Sequence, residues 1–584
     1  MNPTTTYTKA LQQHLATGQA TEHTYRSTLE ALIEALGDDV TAINEPARIA
    51  CGAPDLAVLK DGLMVGHVEA KDIGANLDAV ARTEQLTRYR RSLENLILTD
   101  YLDFHWYVDG ELRRTARLGR LGMDGSIKMD RTGAQNVADL LGDFLAHEAQ
   151  PIATPRELAE RMARLTHLIR DIIVAAFEQG QASDLLTGWR QAFAEVLIPG
   201  LDEPEHLEQF ADMFAQTLAY GLFSARVMHP RGDFTRHRAQ ELIPRTNPFL
   251  RDFFSYITGP QLSDEPYVGF VNDLIQILAQ SDMEAILADF GRRTRREDPM
   301  VHFYETFLAA YDPGLRDRRG VFYTPNPIVS FIVRSVDALL KSHFGLADGL
   351  ADTTRLPDGR HKVLALDPAT GTATFLYAII DLIRENFMLQ GNAGMWSGYV
   401  QEHLLERIFG FELLMAPYAV AHFKLALQLA GYDLPEAQQA DWAYDFGSDE
   451  RLQIYLTNAL EKAVEEPPRL IGPTKIVAEE AQAANEIKQE TPIMVIVGNP
   501  PYAVSSANKG DHIEALMDRY KAAVRDERNI QPLSDDYIKF IRFAHDRVER
   551  TGYGIIGFIT NHSYLFGLIH RGMREELLKT FDEI

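Results

Sequence analysis

Val495-Ile496-Val497-Gly498-Asn499-Pro500-Pro501-Tyr502 decides how this chain is read. A hydrophobic run breaks off into Asn-Pro-Pro-Tyr, which predicts a buried strand ending at a rigid polar and aromatic corner. Proline cannot continue a ladder, and two in succession freeze the backbone just past the strand. An amide oxygen and a backbone carbonyl are then fixed side by side, with a phenol ring next to them. Two acceptors beside a flat apolar face suit a planar ring carrying an exocyclic amino group, such as adenine. Accepting both N–H bonds leaves the nitrogen lone pair directed at an electrophile, while Tyr502 stacks on the ring. Ordinary turns use the same residues, so the sequence upstream has to arbitrate.

Upstream, Gly320-Val321-Phe322-Tyr323-Thr324-Pro325 leads into a predicted helix over 328–340, with Pro325 and Pro327 at its start, where proline is tolerated. A strand over 362–366 breaks into Asp367-Pro368-Ala369-Thr370-Gly371-Thr372-Ala373 and then a helix to about Phe387. Strand, small-residue turn and helix open a nucleotide-binding α/β unit, in which Asp367 can bond a cationic amine. A second strand over 408–412 ends in Glu412, placed for ribose hydroxyls. A third over 452–456 leaves Asn458 near the adenine of a cofactor. The spacing from Asp367 to Glu412 exceeds the roughly twenty residues of a dinucleotide fold, which weighs against NAD. The Asn-Pro-Pro-Tyr strand follows, then a helix over 535–550 and a strand over 554–559.

The N-terminal part reads differently. An amphipathic helix is predicted over 22–36, then a strand over 52–59, the turn signal Asp61-Gly62 and a return strand over 63–71. Glu69 and Lys71 are two apart and share one face of that strand. Asp55, near the start of the partner strand, can join them. Two carboxylates hold a divalent cation through hard oxygen ligands, and a nearby lysine can orient or activate the attacking water. That is a layout for metal-assisted phosphodiester hydrolysis. Glu30 (or Glu34) on the first helix is a further acid for the site. Gln85 and Tyr89 lie at i, i+4 on the next helix, and strands over 95–99 and 104–108 complete a small mixed sheet. Residues 131–317 carry long apolar-periodic stretches broken by Pro, Gly or Asp, which predict a helical spacer of bundle type.

Length and charge bound these readings. At 584 residues the chain is too long for one core. The single cysteine, Cys51, excludes a disulfide framework and a Cys-based zinc site and fits a reducing cytoplasm. The sequence shows no charged-then-apolar leader and no membrane-spanning run, so a cytoplasmic protein with no membrane contact is expected. A net charge of −25 argues against nucleic-acid binding by the whole surface. Local basic stretches remain as candidates: 82–91, 113–120, and the cluster from Arg292 to Arg296 with Arg316, Arg318 and Arg319. No Gly-x-x-x-x-Gly-Lys-Ser/Thr loop of an ATP-driven motor occurs.

Taken in order, residues 318–584 resemble an S-adenosylmethionine-dependent N6-adenine DNA methyltransferase of the gamma order, in which the cofactor half precedes the Asn-Pro-Pro-Tyr motif. Residues 1–130, with Pro54-Asp55 and Glu69-Ala70-Lys71, resemble the PD-(D/E)xK nuclease superfamily. Their combination is similar to single-chain restriction–modification enzymes of the Type IIG and Type ISP kinds. The resemblance implies an α/β multidomain protein: a small α/β nuclease, an all-helical spacer (131–317) and a Rossmann-like methyltransferase core. It assigns Phe322, Tyr323, Thr324 and Pro325, together with Asp367, Ala369, Gly371 and Glu412, to the cofactor. Asn499, Pro500, Pro501 and Tyr502 become the catalytic motif. Asp55, Glu69, Lys71 and Gln85 become the cutting centre, with Mg²⁺ on Asp55, Glu69 and Glu30. Ala373 stands where the family often has a second glycine. The implied partner is double-stranded DNA with one adenine flipped out of the stack. The gamma order also implies a target-recognition domain beyond Ile584, so this is expected to be a fragment or one part of a split system. Two alternatives stay open: a methylate-only enzyme whose N-terminal domain does not cut, and a protein-glutamine or RNA methyltransferase.

Overall fold

The computed structural model describes residues 3–17, 22–44, 53–61, 63–122, 126–147, 152–243, 246–292 (except 258, 260, 261, 263 and 264), 299–312, 324–447, 450–461, 472–503 and 506–584. Phe322, Tyr323, Cys51 and Gly62 lie outside these residues, as does the 292–319 arginine cluster apart from Arg292. The chain divides into two compact units, 1–183 with 231–238 and 258–286, and 184–230 with 239–257 and 287–584. The helices of 131–317 are shared between the two units rather than gathered into a third.

The first unit is built on a six-stranded sheet in the order β1 (Val40–Ile43), β2 (Leu56–Lys60), β3 (Leu63–Ala70), β4 (Asn95–Thr99), β5 (Asp103–Val108), β6 (Glu111–Arg117). All neighbours are antiparallel except β3 and β4. A parallel pair needs a crossover, and the helices Leu77–Val80 and Glu84–Ser92 supply it. Thr83 caps the second of them by accepting a hydrogen bond from the Leu86 amide, satisfying one of the free N–H groups at a helix start. Tyr7, Leu11, Leu29, Leu32 and Ile33 from the two N-terminal helices pack with Val58, Val68, Ile97 and Phe104 of the sheet. A small hairpin, β7 (Gly119–Leu121) and β8 (Ile127–Met129), follows β6.

The second unit holds a five-stranded parallel sheet in the order β11 (Gln453–Leu456), β10 (Ile408–Glu412), β9 (Ala365–Asp367), β12 (Val495–Gly498), β13 (Ile555–Phe558). Every residue of β9 and β12 is buried, as expected of strands covered on both faces. Chain order runs outward from β9 to one side and from β12 to the other. Ligands of open α/β sheets bind in the crevice at such a reversal, outside the carboxyl ends of the strands.

Candidate functional sites

Asp367 ends β9 and Asn499 follows the last residue of β12, its neighbour in the sheet, so both lie at that crevice. They approach closely at Gly498, where a Cβ would stand 2.8 Å from the Asp367 carboxylate. A side chain at 498 would force the Asp367 carboxylate or the strand to shift. Asp367 is buried and accepts a hydrogen bond from the Ala369 amide at 3.1 Å, and among the described residues no cation faces it. Burial raises its pKa to about 8, and the neighbouring Glu412 adds to the rise. A buried acid left without a cation is a poor structural device and a good receptor for a cationic ligand.

The turn after β9 is shaped to leave room. Gly371 and Ala373 both have left-handed backbones, φ 53° and 60°, and nothing lies within 4 Å of where a Gly371 Cβ would be. For Ala373 that conformation carries a steric cost of about 1 kcal/mol, which is why glycine suits the position. Glu412 sits at the end of β10, with both oxygens taken by the Gly371 and Leu414 amides at 2.8 Å. Asn458, just past β11, accepts from the Leu460 amide and donates to Asn508 at 3.0 Å. Lys488 reaches under the same loop, donating to Thr457 Oγ1 at 2.8 Å and to the Asn458 carbonyl at 2.5 Å. Burial lowers its pKa to about 7.

At the Asn-Pro-Pro-Tyr corner, the Asn499 amide nitrogen donates to Thr324 Oγ1 at 3.1 Å, so Thr324, grouped with the cofactor residues by sequence, also meets the catalytic candidate. Pro325 caps the Asn326–Ser342 helix next to it. The Tyr502 hydroxyl lies 3.4 Å from both Asn499 Oδ1 and the Ile559 carbonyl, and its ring packs 5.7 Å from that of Tyr537. Asp535 accepts from the Ala503 amide at 2.9 Å and fixes the chain leaving the corner. Thr324, Asp535 and Tyr537 gather here from distant segments, and only the fold brings Asp535 and Tyr537 to the motif.

In the first unit Asp55, Glu69 and Lys71 come together. Asp55 Oδ2 accepts from the Ala70 amide at 2.7 Å, and the Lys71 ammonium donates to Glu69 Oε1 at 2.6 Å. Glu69 Oε2 is buried with no hydrogen-bond partner among the described residues. Burial, then repulsion from Asp55, holds the Glu69 pKa up at about 7 despite Lys71. Tyr89 is buried, accepts from Gln85 at 3.0 Å and feels the charges of both acids, which raise its pKa after burial, the larger cause. Glu30 does not join them. Its charged neighbour is Glu34, and the same helix, Glu22–Glu34, delivers Arg26, one turn earlier, whose guanidinium pairs with Asp55 Oδ1 at 2.6 Å. Among the described residues no group of three or more His, Cys, Asp or Glu forms a metal cradle. Sequence periodicity gave the helix face but not which residue on it meets Asp55.

Residues 295–580 match the N-6 DNA Methylase family. The search of curated proteins found no match. Among solved structures, the DrdV–DNA complex is 22% identical with a TM-score of 0.47, over 99% of this chain and 52% of that one. The ATP-dependent Type ISP restriction-modification enzyme LlaBIII bound to DNA is 20% identical with a TM-score of 0.51, over 76% and 27%. A nuclease-deletion mutant of the Type ISP enzyme LlaGI in complex with a DNA substrate mimic is 20% identical with a TM-score of 0.53, over 77% and 33%. The chain therefore spans between 27% and 52% of the length of these structures, and its likeness to the two Type ISP enzymes is one of fold. Among the described residues no helix is long and apolar enough to cross a membrane.

Proposed function

We propose that this chain, whose C-terminal half carries an N6-adenine methyltransferase domain, transfers a methyl group from S-adenosylmethionine to adenine N6 in DNA. The observation that carries the reading is the Gly498–Asp367 approach, which supports an amide–carbonyl corner and an uncompensated buried acid sharing one crevice. S-adenosylmethionine supplies an electrophilic methyl group when bound. Asp367, the open turn at Gly371 and Asn458 are the residues that would hold it. The buried Asp367 carboxylate and the space above Gly371 fit a cationic nucleoside. Asn499 Oδ1 and the Pro500 carbonyl accept the two N6 hydrogens, so that the nitrogen lone pair points at the methyl carbon. Tyr502 stacks on the extruded base. Extrusion costs a few kcal/mol of unstacking, and positioning supplies most of the acceleration. The N6 proton is lost only after nitrogen has taken the methyl, so no strong base is needed at the corner.

The first unit is read as a Mg²⁺-dependent DNA nuclease, which makes the whole a restriction–modification enzyme: methylated sites are spared and unmethylated ones cut. Asp55 and the open Glu69 oxygen would hold the metal, and Lys71 would orient the attacking water. One observation favours the methylate-only reading instead. The Arg26 guanidinium already neutralises Asp55, so a divalent cation gains less there. A labelled methyl-donor assay on DNA, RNA and protein tests the first half, with label expected in DNA alone. Cleavage of the same DNA with and without Mg²⁺ tests the second, and a wild-type protein that methylates but never cuts would leave the methylate-only reading standing.

A further inference from the structure

The β7–β8 hairpin carries a charge arrangement that works against its own stability. Arg120 and Lys128 are directly opposed across the antiparallel pair. Side chains of directly opposed residues share a face, and like charges placed so repel. Ile127, buried in the core, fixes which face that is, and Arg120 and Lys128 point away from it into solvent. The hairpin is held in place by the Asp130 amide on the Leu118 carbonyl at 3.1 Å and by Gln12 on the Ile127 carbonyl at 3.4 Å. Among the described residues no carboxylate lies within 4 Å of either cation. In a chain of net charge −25, two opposed cations with no acid within 4 Å among the described residues stand out.

Sheet register locates the pair relative to the acidic centre. Ala70, beside Glu69, pairs with Thr99, Thr99 with Phe104, and Phe104 with Ala116. This row crosses the sheet from the carboxyl end of β3 to the carboxyl end of β6, and β7 begins three residues beyond. With strands about 4.8 Å apart, β6 lies about 14 Å from β3 along the row. Glu69, Lys71 and the start of the hairpin therefore share one end of the sheet.

We propose that Arg120 and Lys128 form a clamp for the phosphate backbone of duplex DNA, gripping phosphates a few nucleotides from the one presented to Glu69 and Lys71. The siting of the clamp rests on the reading of Asp55, Glu69 and Lys71 as a nuclease centre. The opposed cations are reconciled by a phosphate between them, as in the backbone contacts that give DNA binding its salt dependence.

The test is the salt dependence of duplex DNA binding by the full chain, followed by fluorescence anisotropy. Each lost phosphate contact lowers the slope of log K against log salt by about 0.9. The double variant Arg120→Ala/Lys128→Ala is expected to lose about 1.8 from the slope. Arg156→Ala, which removes an exposed arginine paired with Glu160 within the helix Pro155–Glu178, away from the hairpin in sequence, is expected to lose none. Lys128→Glu turns the repulsive pair into an attractive one, so it should weaken binding without lowering Tm, which separates lost contact from lost folding. An unchanged slope in the double variant, or an equal loss with Arg156→Ala, overturns the proposal. Mg²⁺-dependent cleavage by the wild type is scored in parallel. A lowered slope without wild-type cleavage sinks the nuclease reading and keeps the clamp, and cleavage with an unchanged slope does the reverse.

Discussion

Asp367 makes a quantitative prediction because its burial and its proposed task pull in opposite directions. With its pKa at about 8, the ligand-free protein holds Asp367 mostly protonated at pH 6. A ligand that needs the carboxylate must first drive off that proton, at about 1.4 kcal/mol per pH unit below the pKa. Two units is about a hundredfold, so binding of S-adenosylmethionine should be about 75-fold weaker at pH 6 than at pH 8.5 through this group. The ligand's own amine also titrates near pH 8. Isothermal titration is therefore run on wild type and Asp367→Asn at each pH, and the ratio of their Kd values isolates Asp367. Stability carries the opposite sign. The acid is raised from 3.8 in the unfolded chain, so its contribution is fully present below that value and is lost as pH rises through about 8. Ligand-free wild type should lose stability relative to Asp367→Asn between pH 6 and 8 by about 1.4 kcal/mol per unit. A wild-type to Asn ratio that stays flat from pH 6 to 8.5 would refute the assignment of Asp367 as the cationic-ligand receptor.

Gly498→Ala should fold but raise Kd for S-adenosylmethionine at least tenfold, because the new Cβ meets the Asp367 carboxylate at 2.8 Å; titration calorimetry reads it. Arg26→Ala strips the buried Asp55 of its cation, a change that costs about 3–5 kcal/mol in such pairs, and the lost Tm should be partly restored by Mg²⁺ but not by K⁺. Lys71→Ala should abolish Mg²⁺-dependent cleavage while leaving methyl transfer intact, scored on one DNA by gel and by label incorporation.

The parts legible in the sequence are those where one strand runs into a chemically distinctive residue. β10 and β12 end where Glu412 and Asn499-Pro500 demand. β4 was legible to the residue because its apolar run is bounded on both sides. β9 was harder. The apolar run 362–366 predicts a longer strand, but the Lys362 amide bonds the Thr354 carbonyl, and only Ala365–Asp367 join the sheet. The helix Pro473–Gln489 is hard to read from sequence because its Glu, Ala and Lys residues carry little of the apolar period that marks a buried face. Its partner in packing, Asp184–Val196, was legible from that period. Periodicity identified most helices of 131–317 but could not assign them to a unit, since that depends on which neighbour buries each stripe. In the acidic centre the pairing of Asp55, Glu69 and Lys71 follows from hairpin geometry, whereas Arg26 in place of Glu30 depends on how the Glu22–Glu34 helix is rotated against the sheet.

The central claim is that Asn499 presents adenine N6 to a methyl donor held beside Asp367. Its most direct measurement is nucleoside mass spectrometry of DNA incubated with labelled S-adenosylmethionine and either wild type or Asn499→Ala. Label is expected in N6-methyladenine with the wild type and at least a hundredfold less with the variant, both binding the donor equally. Label in cytosine, or adenine methylation that survives loss of the Asn499 amide, would contradict it.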